Sequence, residues 1–359
     1  MKKIGFFSAL ILPILLIWGY YLGGAGHWFI HLFVFGLVPL MDFILSTDKR
    51  NVPKGEISEQ TKAFFYRFVT YFWVYVQLGV LGWAFYIVAM ADLSWIEWIS
   101  LTTGTALVTG GIGITVAHEL GHKNTKIEQF YAKVLLMTVC YMHFIIEHNR
   151  GHHVRVATPD DPATSRFGET FYSFWYRSVT GGYTSAWEIE KDRLTKKGIS
   201  VWSMKNEMVW FALLPIFFIS LVTLLLSQMQ GYFVWQVPVF FLVQSVLGFS
   251  LLEMVNYLEH YGMERKKLPS GFYERVTPLH SWNASHIVSN FLLFQLQRHS
   301  DHHASAHKRY QVLDHVEESP QLPAGYSAMI LVALIPPLWF NLMNPRLQSW
   351  KEKTFSESV

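Results

Sequence analysis

The sequence predicts an all-α integral membrane protein with six transmembrane helices and a histidine-rich cytoplasmic helical cap. Three observations predict this fold. Of the 359 residues, 51% are hydrophobic and only 15% are charged, whereas soluble domains contain about 25% charged residues. Six apolar stretches have about the ~20-residue length that a membrane-spanning helix needs. The basic residues, finally, are confined to a few segments of the chain.

The six predicted spans lie at about residues 4–22, 27–45, 66–90, 96–117, 208–228 and 236–258. All 29 Lys and Arg residues fall in the N-terminal tail, in the 46–65 link with Arg67, or in the regions 118–207 and 259–359. The other links contain none. Because Lys and Arg are enriched in cytoplasmic loops, we expect both termini to be cytoplasmic. The cap would consist of 118–207 and 259–359, within a single domain over 1–359.

Three further apolar stretches are predicted not to cross the membrane. Residues 130–146 are short for a span and contain Lys133, so we expect a buried or interfacial helix that delivers His148. Residues 287–298 are shorter still. The stretch 324–343 contains Pro336 and Pro337, which break a helix interior. We therefore interpret that stretch as interfacial packing.

Nine histidines occur at spacings typical of metal ligands or at a predicted span end. They are His118 and His122 in HELGH, His148, His152 and His153 in EHNRGHH, His260 in NYLEHYG, and His299, His302 and His303 in HSDHH. Residues i and i+4 lie on one helix face about one turn apart, and i+5 lies ~100° further round the helix. We therefore expect the three rings of EHNRGHH to converge on one point.

The number and place of these histidines indicate a chemistry. Nine ligands match two first-row transition metals with four or five ligands each. The predicted topology puts all nine at the boundary between membrane and cytoplasm. Electrons can reach a metal there from the cytosol, and an apolar substrate can reach it from the bilayer. Oxygenation of a C–H bond suits this place.

Two other classes of function remain open on these residues alone. HELGH also fits H-E-x-x-H, the zinc-protease helix in which the Glu is the general base. A protease needs one further ligand, which leaves most of the other histidines unexplained. A cation transporter would place its ligands near the middle of the bilayer, and here they lie at its edge.

Longer motifs carry a resemblance to a known family. HELGHK at 118–123, EHNRGHHVRVATPDDPATSR at 147–166, NYLEHYG at 256–262 and LQRHSDHHA at 296–304 closely resemble the membrane-bound, rubredoxin-dependent alkane 1-monooxygenases. More broadly they resemble the integral-membrane non-haem di-iron hydroxylases and fatty-acid desaturases. The resemblance extends from about residue 96 to residue 345.

This resemblance implies a centre of two iron ions with the nine histidines as ligands. It implies terminal hydroxylation of medium- or long-chain n-alkanes with O₂, in a bacterial inner membrane. Electrons would come from NADH through a reductase and rubredoxin. Because the chain has one cysteine, Cys140, it cannot hold a Cys₄ iron site, and the rubredoxin must be a separate protein. Another apolar substrate, such as a terpene, an aryl methyl or a fatty acyl group, is the alternative. The resemblance gives no role for nucleic acid.

Several other residues are weaker candidates. Glu119, Glu147, Glu259 and Asp301 each adjoin a ligand histidine and are expected to orient ligand rings rather than to bridge the metals. Asp160 and Asp161 can bond Arg150, Arg155 or a ligand ring, or they can cap a turn. Val34 is our choice for a residue that faces a substrate channel. The basic segments 191–197 and 265–267 can dock an acidic carrier protein or contact lipid headgroups.

Overall fold

The structure, a computed structural model, describes residues 2–356. It is helical there, with isolated β-bridges and no β-strand among those residues. Six helices are long and apolar enough to cross a membrane: Lys3–Leu22, Gly24–Leu45, Phe64–Met90, Trp95–Gly121, Glu207–Gln230 and Gln236–His260. We call them the first to the sixth span. The predicted class, an all-α protein with six membrane-spanning helices, is confirmed.

Local sequence signals explain where several helices begin and end. Ser94 starts the fourth span with a capping box, in which its side chain accepts from the Glu97 backbone and Glu97 accepts from the Ser94 backbone. Asn206 caps the start of the fifth span by accepting from the Met208 N–H. Gly231 ends that span in the left-handed conformation, at a φ of 78°.

The remaining helices surround the ends of the spans. They are Ile57–Lys62, Lys126–Met137, Phe144–Glu147, the π-helical turn His148–His152, His153–Arg155, Phe171–Thr195, Ile287–Leu292, His299–Ala304, Tyr326–Ala333 and Pro336–Ser356. The apolar stretch 130–146 is divided between two of these helices, as expected for a segment that does not span.

The apolar stretch 324–343 is broken where the prolines predict a break. Tyr326–Ala333 and the following helix from Pro336 are bent by 119° to each other. Pro lacks a backbone N–H and disfavours a helical conformation at the residue before it. If this bent pair is one broken span, the number of candidate spans becomes seven.

The fourth span forms the centre of the bundle. Of its most apolar window, 83% is buried inside the protein, against 17% for the second and fifth spans. It touches the sixth span at Gly110, where an added Cβ would lie 2.4 Å from the backbone oxygen of Gly248. Small residues at such crossings let membrane helices approach closely. This contact aligns the ends of both spans, from which His118 and His260 project.

Candidate metal centre

The nine predicted histidines lie together in two adjacent groups. A five-histidine group consists of His118, His122, His148, His153 and His302, and a four-histidine group consists of His152, His260, His299 and His303. In each group one ligand atom per residue lies within 4.8 Å of all the others. None of the other seven histidines belongs to either group among the described residues.

The spacing of the ring nitrogens fits a metal ion. Neighbouring Nε2 atoms are 3.0 Å apart for His122 and His148, and 3.1 Å apart for His148 and His153. In the other group, His299 Nε2 is 3.2 Å from that of His260 and 2.9 Å from that of His303. Histidine nitrogens bind zinc at about 2.0–2.1 Å, so two neighbouring ligands of one such ion lie roughly 3.0–3.4 Å apart. The rings are therefore spaced as ligands of one metal per group.

The prediction that the rings of EHNRGHH converge on one point is wrong. His148 and His153 enter the five-histidine group, and His152 enters the other. The cause is the π-helical turn His148–His152, in which the His153 N–H bonds to the His148 carbonyl. A turn closed by an i to i+5 bond contains one residue more than an α-turn. This brings His153 round towards His148 and turns His152 away.

The helix His299–Ala304 divides its histidines in a comparable way. His299 and His303 are four residues apart and share the four-histidine group, while His302 enters the five-histidine group. Each adjacent pair, His152–His153 and His302–His303, therefore contributes one ring to each group. The two pairs meet with Nε2–Nε2 distances of 3.2 Å, between His152 and His303 and between His153 and His302.

Burial keeps most of these rings neutral. The pKa values of His148, His299 and His303 lie well below the usual value, chiefly because burial penalises the charged form and also because the neighbouring rings repel a proton. A neutral imidazole supplies the lone pair that a transition metal needs. The electrostatics of the site therefore favour metal binding over proton binding.

His152 is held by a carboxylate on the side of the ring away from its group. Its Nδ1 lies 2.8 Å from Asp161 Oδ2, and both residues are buried. Thr164 donates to the same oxygen at 2.5 Å, and the Ala163 N–H donates to the other at 3.2 Å. A carboxylate at Nδ1 fixes the tautomer that leaves Nε2 free for a metal. Asp160, the other sequence candidate in this pair, is exposed.

Of the four carboxylates that adjoin a ligand in the sequence, Glu259 alone contacts a ligand ring in the described structure. Its Oε2 is 3.1 Å from His299 Nε2. Glu119 instead pairs with Lys123 at 3.2 Å, and Asp301 pairs with Lys308 at 2.8 Å. Glu147 pairs with Arg155 at 2.9 Å. The pKa of Glu147 is raised to about 7, chiefly because the residue is buried. These three carboxylates are held by cations rather than by ligand rings.

An apolar cavity, lined partly by residues of the spans, reaches both histidine groups. His118 and His148 of the five-histidine group and His299 of the other form part of its wall. The second span contributes Val34 and Phe35 from its π-helical segment Phe33–Leu37. The rest of the wall includes residues of the π-helical segment Leu107–Gly113, of the sixth span and of the helix Tyr326–Ala333. An apolar ligand there lies next to both groups.

A polar groove reaches the five-histidine group from another side. Its walls include His122 and His153, the two rings that are only half-buried. Lys123, Lys133 and Arg150 line the same groove. The four-histidine group, in contrast, is fully buried. The groove is therefore a short path between the protein surface and the metal-binding atoms.

Comparison with known proteins first defines the class. Residues 93–333 match the family described as fatty acid desaturase. Two relatives named alkane 1-monooxygenase 2 are similar to this chain over most of its length. That of Pseudomonas aeruginosa is 42% identical, covering 98% of this chain and 93% of the relative. That of Alcanivorax borkumensis is 41% identical, covering 90% of this chain and 84% of the relative. A more distant relative, the xylene/toluene monooxygenase hydroxylase component of Pseudomonas putida, is 26% identical, covering 93% and 86%.

The fold, the histidine groups and the desaturase match define a class of multi-pass membrane enzymes with histidine groups that could bind metal. Within it, the chain belongs to the alkane 1-monooxygenase family, because the identity to those relatives exceeds 40% over almost its whole length. The recognition made from the motifs is thereby confirmed.

The bond between His152 and Asp161 yields a test of the metal centre. We expect Asp161→Asn to lower metal affinity about 10–100-fold, because the amide no longer holds the ring as a carboxylate does. Metal retained after dialysis against graded chelator measures the effect. Asp160→Asn changes the neighbouring, exposed carboxylate and serves as the matched control. Equal metal retention in both variants would contradict this role of Asp161.

Proposed function

We propose that this enzyme hydroxylates medium- and long-chain n-alkanes at the terminal carbon, at a centre of two iron ions. The overall reaction converts an alkane, O₂, two electrons and two protons into a 1-alkanol and water. The electrons come from reduced rubredoxin, a separate protein that an NADH-dependent rubredoxin reductase reduces. The observation that carries the proposal is the apolar cavity that touches both histidine groups.

The nine histidines are the proposed iron ligands, five for one ion and four for the other. Imidazole suits iron, and the ring spacing and burial fit a metal in each group. Bound iron supplies the redox chemistry that activates O₂. The protein places the substrate, since the walls from the second, fourth and sixth spans exclude water and hold a chain end beside the centre.

An n-alkane fits the cavity better than a polar substrate does. The wall is almost entirely apolar, apart from groups such as Thr115, Asn256 and Ser289 and the residues of the centre itself. The relatives with 41–42% identity are alkane monooxygenases, whereas the xylene/toluene relative is 26% identical. These facts support an alkane over an aryl methyl group.

The zinc protease is a weaker proposal. Its general base would be Glu119 of HELGH, and that carboxylate lies beside Lys123. Its zinc would need three or four ligands, whereas His118 and His122 lie in a group of five rings next to a group of four. The desaturase and alkane monooxygenase matches also favour oxidation.

We also propose that the chain forms one domain in a bacterial inner membrane, with both termini and the metal centre on the cytoplasmic side. The distribution of all 29 Lys and Arg residues supports this orientation. The half-buried His122 and His153 then face the cytoplasm through the groove, where a soluble electron carrier can dock.

Metal analysis and turnover together test the proposed function. Purified protein should contain two iron ions per chain and convert octane to 1-octanol when rubredoxin, its reductase and NADH are supplied. One zinc without iron, together with casein cleavage that Glu119→Gln abolishes, would establish the protease instead.

The cavity wall yields a prediction about chain length. We expect Val34→Trp to lower turnover of hexadecane while sparing octane, because only the longer tail reaches the new ring. Iron content should stay at the wild-type value. Leu40→Trp, at an exposed position of the same span, is the control and should leave the ratio unchanged. Equal loss on both alkanes would mean that Val34 acts through packing.

The groove yields a prediction about the electron donor. Arg150 lies in its wall with a side chain that is 49% exposed. Removing a rim charge chiefly slows association of an acidic partner, so Arg150→Gln should raise KM for reduced rubredoxin several-fold and keep kcat. Lys197→Gln, in the basic segment 191–197, is the control and should leave KM unchanged. A raised KM in the control alone would place docking at that segment.

A further inference from the structure

We propose that Glu259 is a carboxylate ligand of the metal in the four-histidine group and that Tyr326 holds it in position. The inference deepens the proposed function, because it rests on a metal ion in that group. It also changes the role predicted for Glu259 from the sequence, which was to orient a ligand ring.

Glu259 approaches the four-histidine group at His299, at a distance that fits two neighbouring ligands of one ion. The carboxylate Oε2 is 3.1 Å from Nε2 of His299. The same Nε2 lies 3.2 Å from that of His260 and 2.9 Å from that of His303, so it is the atom that points into the group. An Nε2 that binds a metal carries no proton to donate. The carboxylate is therefore a neighbouring ligand rather than the acceptor of an N–H.

Asp161 shows how a carboxylate that only orients a ligand is placed. It contacts His152 at Nδ1, the ring atom on the side away from the group, while Nε2 of that ring faces His303. Glu259 contacts its histidine at the opposite ring atom. The two acidic residues thus take different positions around the same four-histidine group.

The numbers of ligands support the same assignment. One group has five histidines and the other has four, and non-haem iron sites combine histidine with a carboxylate ligand. Glu259 lies in the wall of the substrate cavity, next to His299. A carboxylate oxygen there raises the smaller set to five and adds a negative charge that offsets part of the charge of the ion.

Tyr326 fixes the other oxygen of this carboxylate. Its hydroxyl donates to Glu259 Oε1 at 2.5 Å, and both side chains are at most 1% exposed. Tyr326 comes from the helix Tyr326–Ala333 and also lines the cavity. It is a positioning residue, since it acts on the metal through Glu259. With Oε1 held by the hydroxyl, Oε2 is directed at the histidines.

The sixth span provides a matched control. Glu253 is also buried, and it accepts a hydrogen bond from Tyr141 at 2.7 Å. Within the described structure Glu253 forms no hydrogen bond or ion pair with a histidine of either group, although its charge acts on His152 through space. Glu253→Gln and Tyr141→Phe therefore repeat the chemical changes of Glu259→Gln and Tyr326→Phe at a second buried Glu–Tyr pair, whose Glu lies on the same helix as Glu259 but is not bonded to a proposed ligand.

Iron content and Mössbauer spectra of the purified protein test the inference without reference to activity. We expect Glu259→Gln to lose about half of the bound iron in a chelator wash, because one of two sites loses its anionic ligand. Tyr326→Phe should retain more iron than Glu259→Gln does. In its Mössbauer spectrum, the signal of one iron should shift while the signal of the other stays unchanged. Both control variants should match the wild type.

Each outcome decides the point. Unchanged iron signals in either Glu259→Gln or Tyr326→Phe would overturn the inference, and so would the same change in Glu253→Gln. If Glu259→Gln does not fold, Tyr326→Phe still decides. Failure of the proposed function is distinguishable, because the wild type itself would then lack two iron ions.

Discussion

The structure depends on the convergence of nine imidazole rings in a buried space at the end of the membrane helices. Nε2 of His118, an atom that can bind a metal, lacks a hydrogen-bond partner among the described residues. Buried polar atoms without partners cost free energy, and closely spaced lone pairs repel. A metal ion bound in each group would offset this cost. Metal binding and the stability of the cap are therefore coupled.

This constraint explains why the membrane helices are irregular beside the centre. The second and fourth spans each contain a π-helical segment, and the turn His148–His152 is a third such segment. Such segments are uncommon and occur frequently at functional sites. In this protein, residues of all three form the cavity wall. The extra residue in each turn redirects side chains, which opens an apolar space beside the histidines and divides the rings between two positions.

The acidic residues around the centre fall into two kinds. Glu119, Glu147 and Asp301 pair with Lys123, Arg155 and Lys308, which lie close to them in the sequence. Asp161 and Glu259 face histidines instead. A carboxylate without a cation in such a buried place is costly, and the proposed metal charge offsets that cost. Among these five acids, those paired with a cation are therefore distinguished from the two that contact a proposed ligand ring.

The sequence by itself determined the parts of this protein that depend on short-range patterns. Apolar length marked all six spans, because a helix must be about 20 residues long to cross the bilayer. Spacing at i, i+3, i+4 and i+5 singled out eight of the nine histidines, and a span end singled out His260. Tertiary structure decided how the rings divide, since a π-turn and the contact between chain segments more than 100 residues apart place His152 beside His303. It also distinguished Glu259 from the other adjacent acids and brought Tyr326 to it, across 67 residues. No local pattern marks such a pair, because the partner of a buried carboxylate is set by how distant helices pack.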